Sequence, residues 1–381
     1  MPRVANRVYF DHASTTEVDP GVLKVYTELL QKYYVNSESL YDEGTEISRM
    51  MEKARSAAAG LLGVHADEII FTSGASEANS EAIKGTCFAC PGKKHIITTA
   101  IEHSSVMNAC RQMEQVFGYD VTYLPVTEEG TVRVHDVEKA LRDDTAVVSI
   151  MYVNNETGAV NPVAEIKEIV KKKSHAYFHT DITQAIGKIP VDLDMVDMAS
   201  MSAHKIHGLK GSGVLVRKKH VPMVPLISGG EQEYGYRGGT SNAVVNMVFA
   251  RTLRTALENE KKYGAYIKDL QAHLLSGLKT IPGVLINSPE NNCGCVINFS
   301  YEEIPSEVMQ NALNRAGFMV SARSTCESHS DNPSYVLQAM GFSDKRASSC
   351  IRISLAHTNT KEEADRFVSA LKEIISHYGK I

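Results

Sequence analysis

At 381 residues the chain is too long for one small core, and its length suggests one large unit plus a smaller one. The hydrophobic fraction of 43% and charged fraction of 22% are ordinary for a globular protein, and a formal charge of −5 leaves no basic excess, which argues against nucleic acid as the main partner. No apolar run approaches a membrane span, and a strand-like segment at 8–10 leaves no room for a signal peptide, so a cytoplasmic location is expected.

Beyond that first segment, apolar runs of strand length stand at 69–73, 95–100, 121–126, 146–153, 176–181, 195–203 and 213–217. Their β-branched content and unbroken apolar character suit central strands covered on both faces. Helical patterns at 77–84, 104–117, 135–141 and 162–173 fall between the first five. This alternation predicts an α/β unit with a largely parallel sheet. The Gly-rich stretch 228–240 reads as a long loop, and the helical pattern over 241–278 as a connector into a second unit. Strands at 295–300, 318–321 and 350–355, with helices at 305–316 and 361–376, make that second unit a smaller α+β one. The expected division is 1–250 and 251–381, with the first ~15 residues packing on the smaller unit.

Seven cysteines, an odd number scattered through a long chain, fit a reducing compartment rather than a disulfide framework. Cys87 and Cys90 form a CxxC and Cys293 and Cys295 a CxC, four thiolates that in principle suit zinc. Cys87 and Cys90 end a predicted helix, however, and Cys295 leads into a strand, so no metal is expected and free thiols, buried or half-buried, are the default.

Two segments about twenty residues apart carry the chemistry. His179-Thr180-Asp181-Ile182-Thr183-Gln184 and Ser202-Ala203-His204-Lys205 each end an apolar run. They bring a carboxylate, an amide, a hydroxyl, an imidazole and a lysine amine to neighbouring strand ends, where open α/β sheets bind ligands. That set suits pyridoxal 5′-phosphate (PLP): a Schiff-base lysine, a carboxylate for the pyridinium nitrogen, and polar groups for the phosphate and the ring edge. Taken singly, Lys205 reads as a solvated lysine and Asp181 as a helix cap. Thr72-Ser73-Gly74-Ala75-Ser76-Glu77 adds a strand–turn–helix junction whose N–H groups can receive a phosphate.

With these segments in place, the whole chain resembles the cysteine desulfurases of the NifS/IscS type, in the class V aminotransferase group of PLP enzymes. The resemblance is carried by Phe71-Thr72-Ser73-Gly74-Ala75, Glu102-His103, Val153-Asn154-Asn155-Glu156-Thr157-Gly158, Asp181 to Gln184, His204-Lys205, Arg237-Gly238-Gly239-Thr240, Pro333-Ser334-Tyr335-Val336-Leu337 and Ile351-Arg352-Ile353-Ser354. It implies PLP fold-type I: a large domain with a mostly parallel seven-stranded sheet between helices, plus a small α+β C-terminal domain. It also implies that Lys205 carries the cofactor and shuttles protons, that Asp181 pairs with the pyridine nitrogen, and that His103 stacks on the ring and acts in acid–base steps. Gln184 would meet the phenolic oxygen. Ala75, Ser76, Ser202 and His204 would hold the phosphate, with Thr240 entering from a second subunit, so a homodimer with shared sites follows. Asn155 and Arg352 would hold the substrate carboxylate, a planar guanidinium being suited to gripping one in two places.

The resemblance makes Cys326 the nucleophile, and its neighbours from Ser321 to Pro333 are small, polar or loop-forming, as an exposed thiol on a mobile segment requires. L-cysteine would yield L-alanine and a persulfide for a sulfur-acceptor protein. The sequence departs from the family's small-residue run at Arg323 and Thr325. A class V aminotransferase, a selenocysteine lyase and a non-catalytic PLP-binding scaffold are the competing readings.

Overall fold

The computed structural model describes residues 7–322 and 332–378. The chain enters with β1 (Val8–Tyr9), α1 (Pro20–Lys32) and α2 (Asp42–Leu62). Neither helix is signalled by the apolar runs above. α1 is set locally, by Asp19 accepting from Val22 N at 3.0 Å ahead of a proline in the first turn. β2 (Ile69–Thr72) leads into α3 (Ala75–Ser80), which passes through a π-turn at Glu81–Gly85 into α4 (Thr86–Ala89). Then come β3 (His95–Thr99), α5 (Ser104–Phe117), β4 (Asp120–Leu124), α6 (Val134–Ala140), β5 (Thr145–Ser149), α7 (Val163–Lys173), β6 (Tyr177–Asp181), β7 (Met198–Ser202) and β8 (Gly213–Arg217).

Strands β2 to β8 form the expected seven-stranded sheet, in the order β2-β8-β7-β6-β5-β3-β4. All neighbours are parallel except at β8, which runs against both β7 and β2. The unbroken apolar runs have their predicted cause, since alternate residues serve opposite faces. Ile97, Val148 and Phe178 pack with Ile166 and Val170 of α7, while Ile96 and Val147 pack with Val106, Cys110 and Met113 of α5.

Within this sheet, two strands fall well short of their predicted runs. β5 stops at Ser149, and beyond it Asn154 Oδ1 accepts from the N–H groups of Glu156 and Thr157, turning the chain. β7 starts late because Asp192 caps a short turn at Leu193–Met195.

Helix α8 (Ala243–Lys279) spans two cores. Phe249 and Leu253 belong to the sheet core; Leu270, Leu274 and Leu278 belong to a second core. There follow β9 (Val284–Ile286), β10 (Val296–Tyr301), α9 (Ser306–Arg315), β11 (Phe318–Met319), α10 (Tyr335–Ala339), α11 (Asp344–Ser348), β12 (Cys350–Ser354) and α12 (Lys361–Tyr378). β12, β10 and β9 form an antiparallel sheet in that order. β11, two residues rather than the predicted four, pairs instead with β1, Val8 opposite Phe318. Phe10 joins Phe318 and Phe367 in one aromatic cluster, with ring centroids 5.3–6.3 Å apart. Residues 8–10 are thereby fastened to the last hundred.

Cys87 lies in the α5 core and Cys293 and Cys295 in the main sheet core, all as free thiols. The two pairs thus do not converge. Among the described residues no group of three or more His, Cys, Asp or Glu could hold a metal, and no helix is long and apolar enough to cross a membrane.

Candidate active site

The parallel strands present their carboxyl ends at one edge of the sheet, and there the side chains singled out from the sequence converge. Ala75, Ser76, His103, Asn155, Asp181, Gln184, Ser202, His204, Lys205 and Arg352 line one cavity of about 280 Å3. Thr240, exposed on its loop, is not among its lining residues. Cys326 lies outside the described residues.

β6 ends on Asp181, whose carboxylate accepts from Thr183 N (2.9 Å) and from Asn79 Nδ2 (2.8 Å). β7 ends on Ser202, and a short turn over Ala203–Lys205 sets Lys205 two residues past His204's neighbour Ala203. Lys205 Nζ donates to the carbonyls of Ala13 (2.6 Å) and Ser14 (2.7 Å). Gln184 Nε2 shares the Ala13 carbonyl at 3.0 Å. The turn after β2 comes across β8 to meet β7: Ala75 N donates to Ser202 Oγ at 2.7 Å. Glycine is required on both sides of this approach. Gly74 lies at φ 152°, and a Cβ on Gly213 would stand 2.5 Å from the Gly74 Cα.

His103 caps α5, its Nδ1 accepting from Ser105 N (3.2 Å) and lying 2.8 Å from Ser105 Oγ. Asn79 Nδ2 also donates to Ser105 Oγ (2.9 Å), which leaves the Ser105 hydroxyl to donate to His103 Nδ1. Asn79 and Ser105 thereby tie His103 to Asp181. No sequence motif announces this chain of bonds, although Asn79 lies one turn beyond the phosphate-type turn. His204 is neutral: burial first, then Lys205, pushes it down to about 4, and its Nδ1 meets Thr15 Oγ1 at 3.1 Å.

Arg352, on β12, is 1% exposed. Its Nη1 donates to Asn155 O (3.0 Å), and its Nη2 to Asp11 Oδ1 (2.8 Å) and Ser14 Oγ (2.6 Å). The guanidinium expected to grip a substrate carboxylate in two places therefore already has one end held by an internal carboxylate, and Nε is its donor with no hydrogen bond. Ser321 pairs with Arg352 through the backbone, Ser334 Oγ donates to Glu156 Oε2 (2.6 Å), and Tyr335 OH donates to Glu102 O. The described chain on both sides of residues 323–331 is thus fixed beside this site.

A class V aminotransferase family model matches residues 8–367. The chain is 39% identical over 380 residues to a NifS/IcsS protein homolog of Lactobacillus delbrueckii subsp. bulgaricus, covering 98% of both. To the cysteine desulfurase IscS of Clostridium botulinum it is 38% identical over 376 residues, 97% of this chain and 94% of that one. A solved NifS-like protein superposes with a TM-score of 0.92 at 39% identity, over 97% of this chain and 100% of the other.

The chain belongs to the class V aminotransferase family. Within it the relatives are cysteine desulfurases of the NifS/IscS type, a PLP-dependent group, and the fold is theirs.

The residues present fit the cofactor of this family. Asn155 Oδ1, Thr183 Oγ1 and Arg352 Nε are buried without hydrogen-bond partners, and all three residues line the cavity. Buried polar atoms in that state call for a polar ligand. A Cβ on Gly74 would stand 3.2 Å from Ser202 Oγ, filling the space beside the hydroxyl and the Ala75 N–H where a phosphate would sit.

Glu102, next to His103, is a family signature whose place was not legible from sequence. It is fully buried, its Oε1 accepting from Thr99 Oγ1 (2.7 Å) and Met151 N (2.9 Å). Burial pushes it up to about 8. Its favoured proton stabilises the fold fully below about 4.5, and that contribution is lost as pH rises towards 8. His179 and His204, held down at about 4 chiefly by burial, act the other way: their contribution is present above 6.5 and lost as pH falls towards 4. Thermal stability should therefore fall on both the acid and the alkaline side. Glu102→Gln, neutral at every pH, should flatten the alkaline decline alone. Melting temperatures across the range check this, and an unchanged alkaline arm would refute it.

Proposed function

We propose that this chain removes sulfur from L-cysteine, releasing L-alanine and passing a persulfide sulfur from Cys326 to an acceptor protein. One observation carries the reading: Lys205, Asp181 and the Ala75–Ser202 contact converge on a single cavity that also holds Arg352. Bound there, PLP supplies an electron sink for the α-carbon of an amino acid.

The protein's own groups do the rest. Asp181, fixed by Asn79 and Thr183, holds a proton at the pyridine nitrogen. Lys205, anchored by two carbonyls, carries the cofactor and moves the α-proton. His103, held through Nδ1 and lining the cavity, would stack on the ring and leave Nε2 to carry a proton. Arg352 Nε and the Asn155 amide receive the substrate carboxylate, with Asp11 and Ser14 keeping the guanidinium in place. Cys326 then attacks the substrate sulfur as a thiolate; the substrate's carbon–sulfur bond breaks, and the carbon takes a proton to leave as alanine. Ala75, Ser76, Ser202 and His204 serve the phosphate, and Gln184 the phenolic oxygen. Thr240, exposed and away from the cavity of its own protomer, serves the site of a second copy, in a cytoplasmic homodimer.

The test is turnover of L-cysteine by the PLP-loaded protein, measuring alanine and sulfide, beside Cys326→Ala. Desulfuration should fall at least about 100-fold in the variant, the range for losing a group that acts in the transition state. An undiminished rate, or product formation only with an amino acceptor, would transfer the chain to the aminotransferases proper.

A further inference from the structure

The main core contains a pair of thiols that desulfuration does not employ. Cys293 and Cys295 are 7% and 4% exposed, with their Sγ atoms 3.4 Å apart. The segment is pinned to the turn that carries Asn155: Cys293 N donates to Gly158 O at 2.9 Å, and Asn292 bridges to Ala159. Cys295 also lines a second cavity, of about 130 Å3, whose walls run from the exposed Glu17 and Thr358 inward to Lys205. Lys205 lines the cofactor cavity too, so the two cavities share this residue as a wall.

The two sulfurs are not equivalent. The contact with Cys293, with Lys188 nearby, draws the Cys295 thiol below its ordinary value, while the same contact and burial push Cys293 well up. Of the two, Cys295 therefore takes the negative charge first and is the one that lines this cavity, while Cys293 keeps its proton. A nucleophile backed by a protonated second thiol is the arrangement for attack followed by resolution.

We propose that Cys295 and Cys293 form a second sulfane-sulfur site, in which Cys295 accepts a sulfur atom from a persulfide or polysulfide and Cys293 expels it as sulfide. In the first step the Cys295 thiolate attacks the terminal sulfur of R–S–SH. The old S–S bond breaks, R–S− departs, and Cys295–S–SH forms. In the second step the Cys293 sulfur attacks the Cys295 Sγ. The outer sulfur leaves as hydrosulfide, which takes the Cys293 proton to become hydrogen sulfide, and a Cys293–Cys295 disulfide remains. The two thiols give up two electrons and the transferred sulfur gains them. The sulfurs have to close from 3.4 Å to about 2.05 Å, a distance side-chain rotation covers.

The proposal goes beyond desulfuration and is tested without it. Purified full-length Cys326→Ala protein is treated with inorganic polysulfide, alkylated, digested and mapped by mass, with released sulfide measured in parallel. The expected result is a disulfide between residues 293 and 295 and about one equivalent of sulfide per chain. On the same background Cys293→Ser should trap a single added sulfur on Cys295, and Cys295→Ser should leave Cys293 unmodified. An unaltered pair, or sulfur found on Cys293 in the Cys295→Ser protein, overturns the assignment. Should a serine variant fail to fold, the parent's disulfide and sulfide release decide the matter alone. Neither outcome depends on whether the chain turns over cysteine, so failure here and failure of the proposed function are separate results.

Discussion

Lys205→Ala should abolish turnover, lowering the rate by at least about a thousandfold, while leaving the fold almost untouched. The asymmetry follows from what the amine touches. Its bonds to Ala13 O and Ser14 O are to backbone carbonyls, and Ala13 O keeps the Gln184 amide when the lysine is gone. The stability lost is that of one or two charge-assisted hydrogen bonds at a half-buried site, about 1–3 kcal/mol. The chemistry has no such reserve. Among the described residues lining the cavity, Lys205 is the one primary amine. General acid–base groups alone are worth about 10²- to 10⁴-fold, and here the covalent hold on the cofactor is lost as well. The visible absorption of the protein–cofactor linkage should disappear while the far-ultraviolet circular dichroism stays. A variant that keeps a tenth of the rate would show that the essential amine lies elsewhere.

How far the site was legible in advance depended on the sequence separation of its parts. The seven strands could be read because burial on both faces leaves an unbroken apolar run inside each one, and Ile96 and Ile97 serve opposite cores from adjacent positions. Asp181, His204 and Lys205 could be read because each follows such a run within a few residues. Asp11 could not. Its partner Arg352 lies 341 residues away, and nothing local marks either as half of an ion pair. The same holds for Asn79, which reaches Asp181 across 102 residues, and for Gly213, whose lack of a side chain matters because Gly74 and the Met201 carbonyl lie against it. Helices α1 and α2 were missed for a different reason. Their apolar positions alternate with charge on exposed faces, as at Glu43, Glu46 and Lys53 in α2, so no run stands out. β11 is over-extended in the sequence reading because Val320 continues its apolar pattern, while at Ser321 pairing passes to Arg352.

Arg352 couples stability to substrate binding, and separating the two is the most demanding test of the site. Arg352→Ala removes a cation that is 1% exposed and leaves Asp11, only 17% exposed, without its partner. Breaking a buried pair from one side typically costs about 3–5 kcal/mol, because the remaining charge has lost both water and counter-ion. The variant should therefore melt far lower, and Asp11→Asn in the same chain should recover a large part of the loss. Near-additive costs in that double-mutant cycle would mean that the pair contributes no coupling. Arg352→Lys keeps the charge but cannot hold Asp11, Ser14 and Asn155 O while offering a further N–H to a ligand, since its ammonium is a single centre. It should fold, and its KM for L-cysteine should rise by about 10- to 100-fold, the equivalent of one hydrogen bond to a charged group. kcat should change less, because the carboxylate is held alike in the ground and transition states. If KM stays put while kcat collapses, Arg352 acts on the reacting atoms instead, and Nε is not where the substrate carboxylate binds.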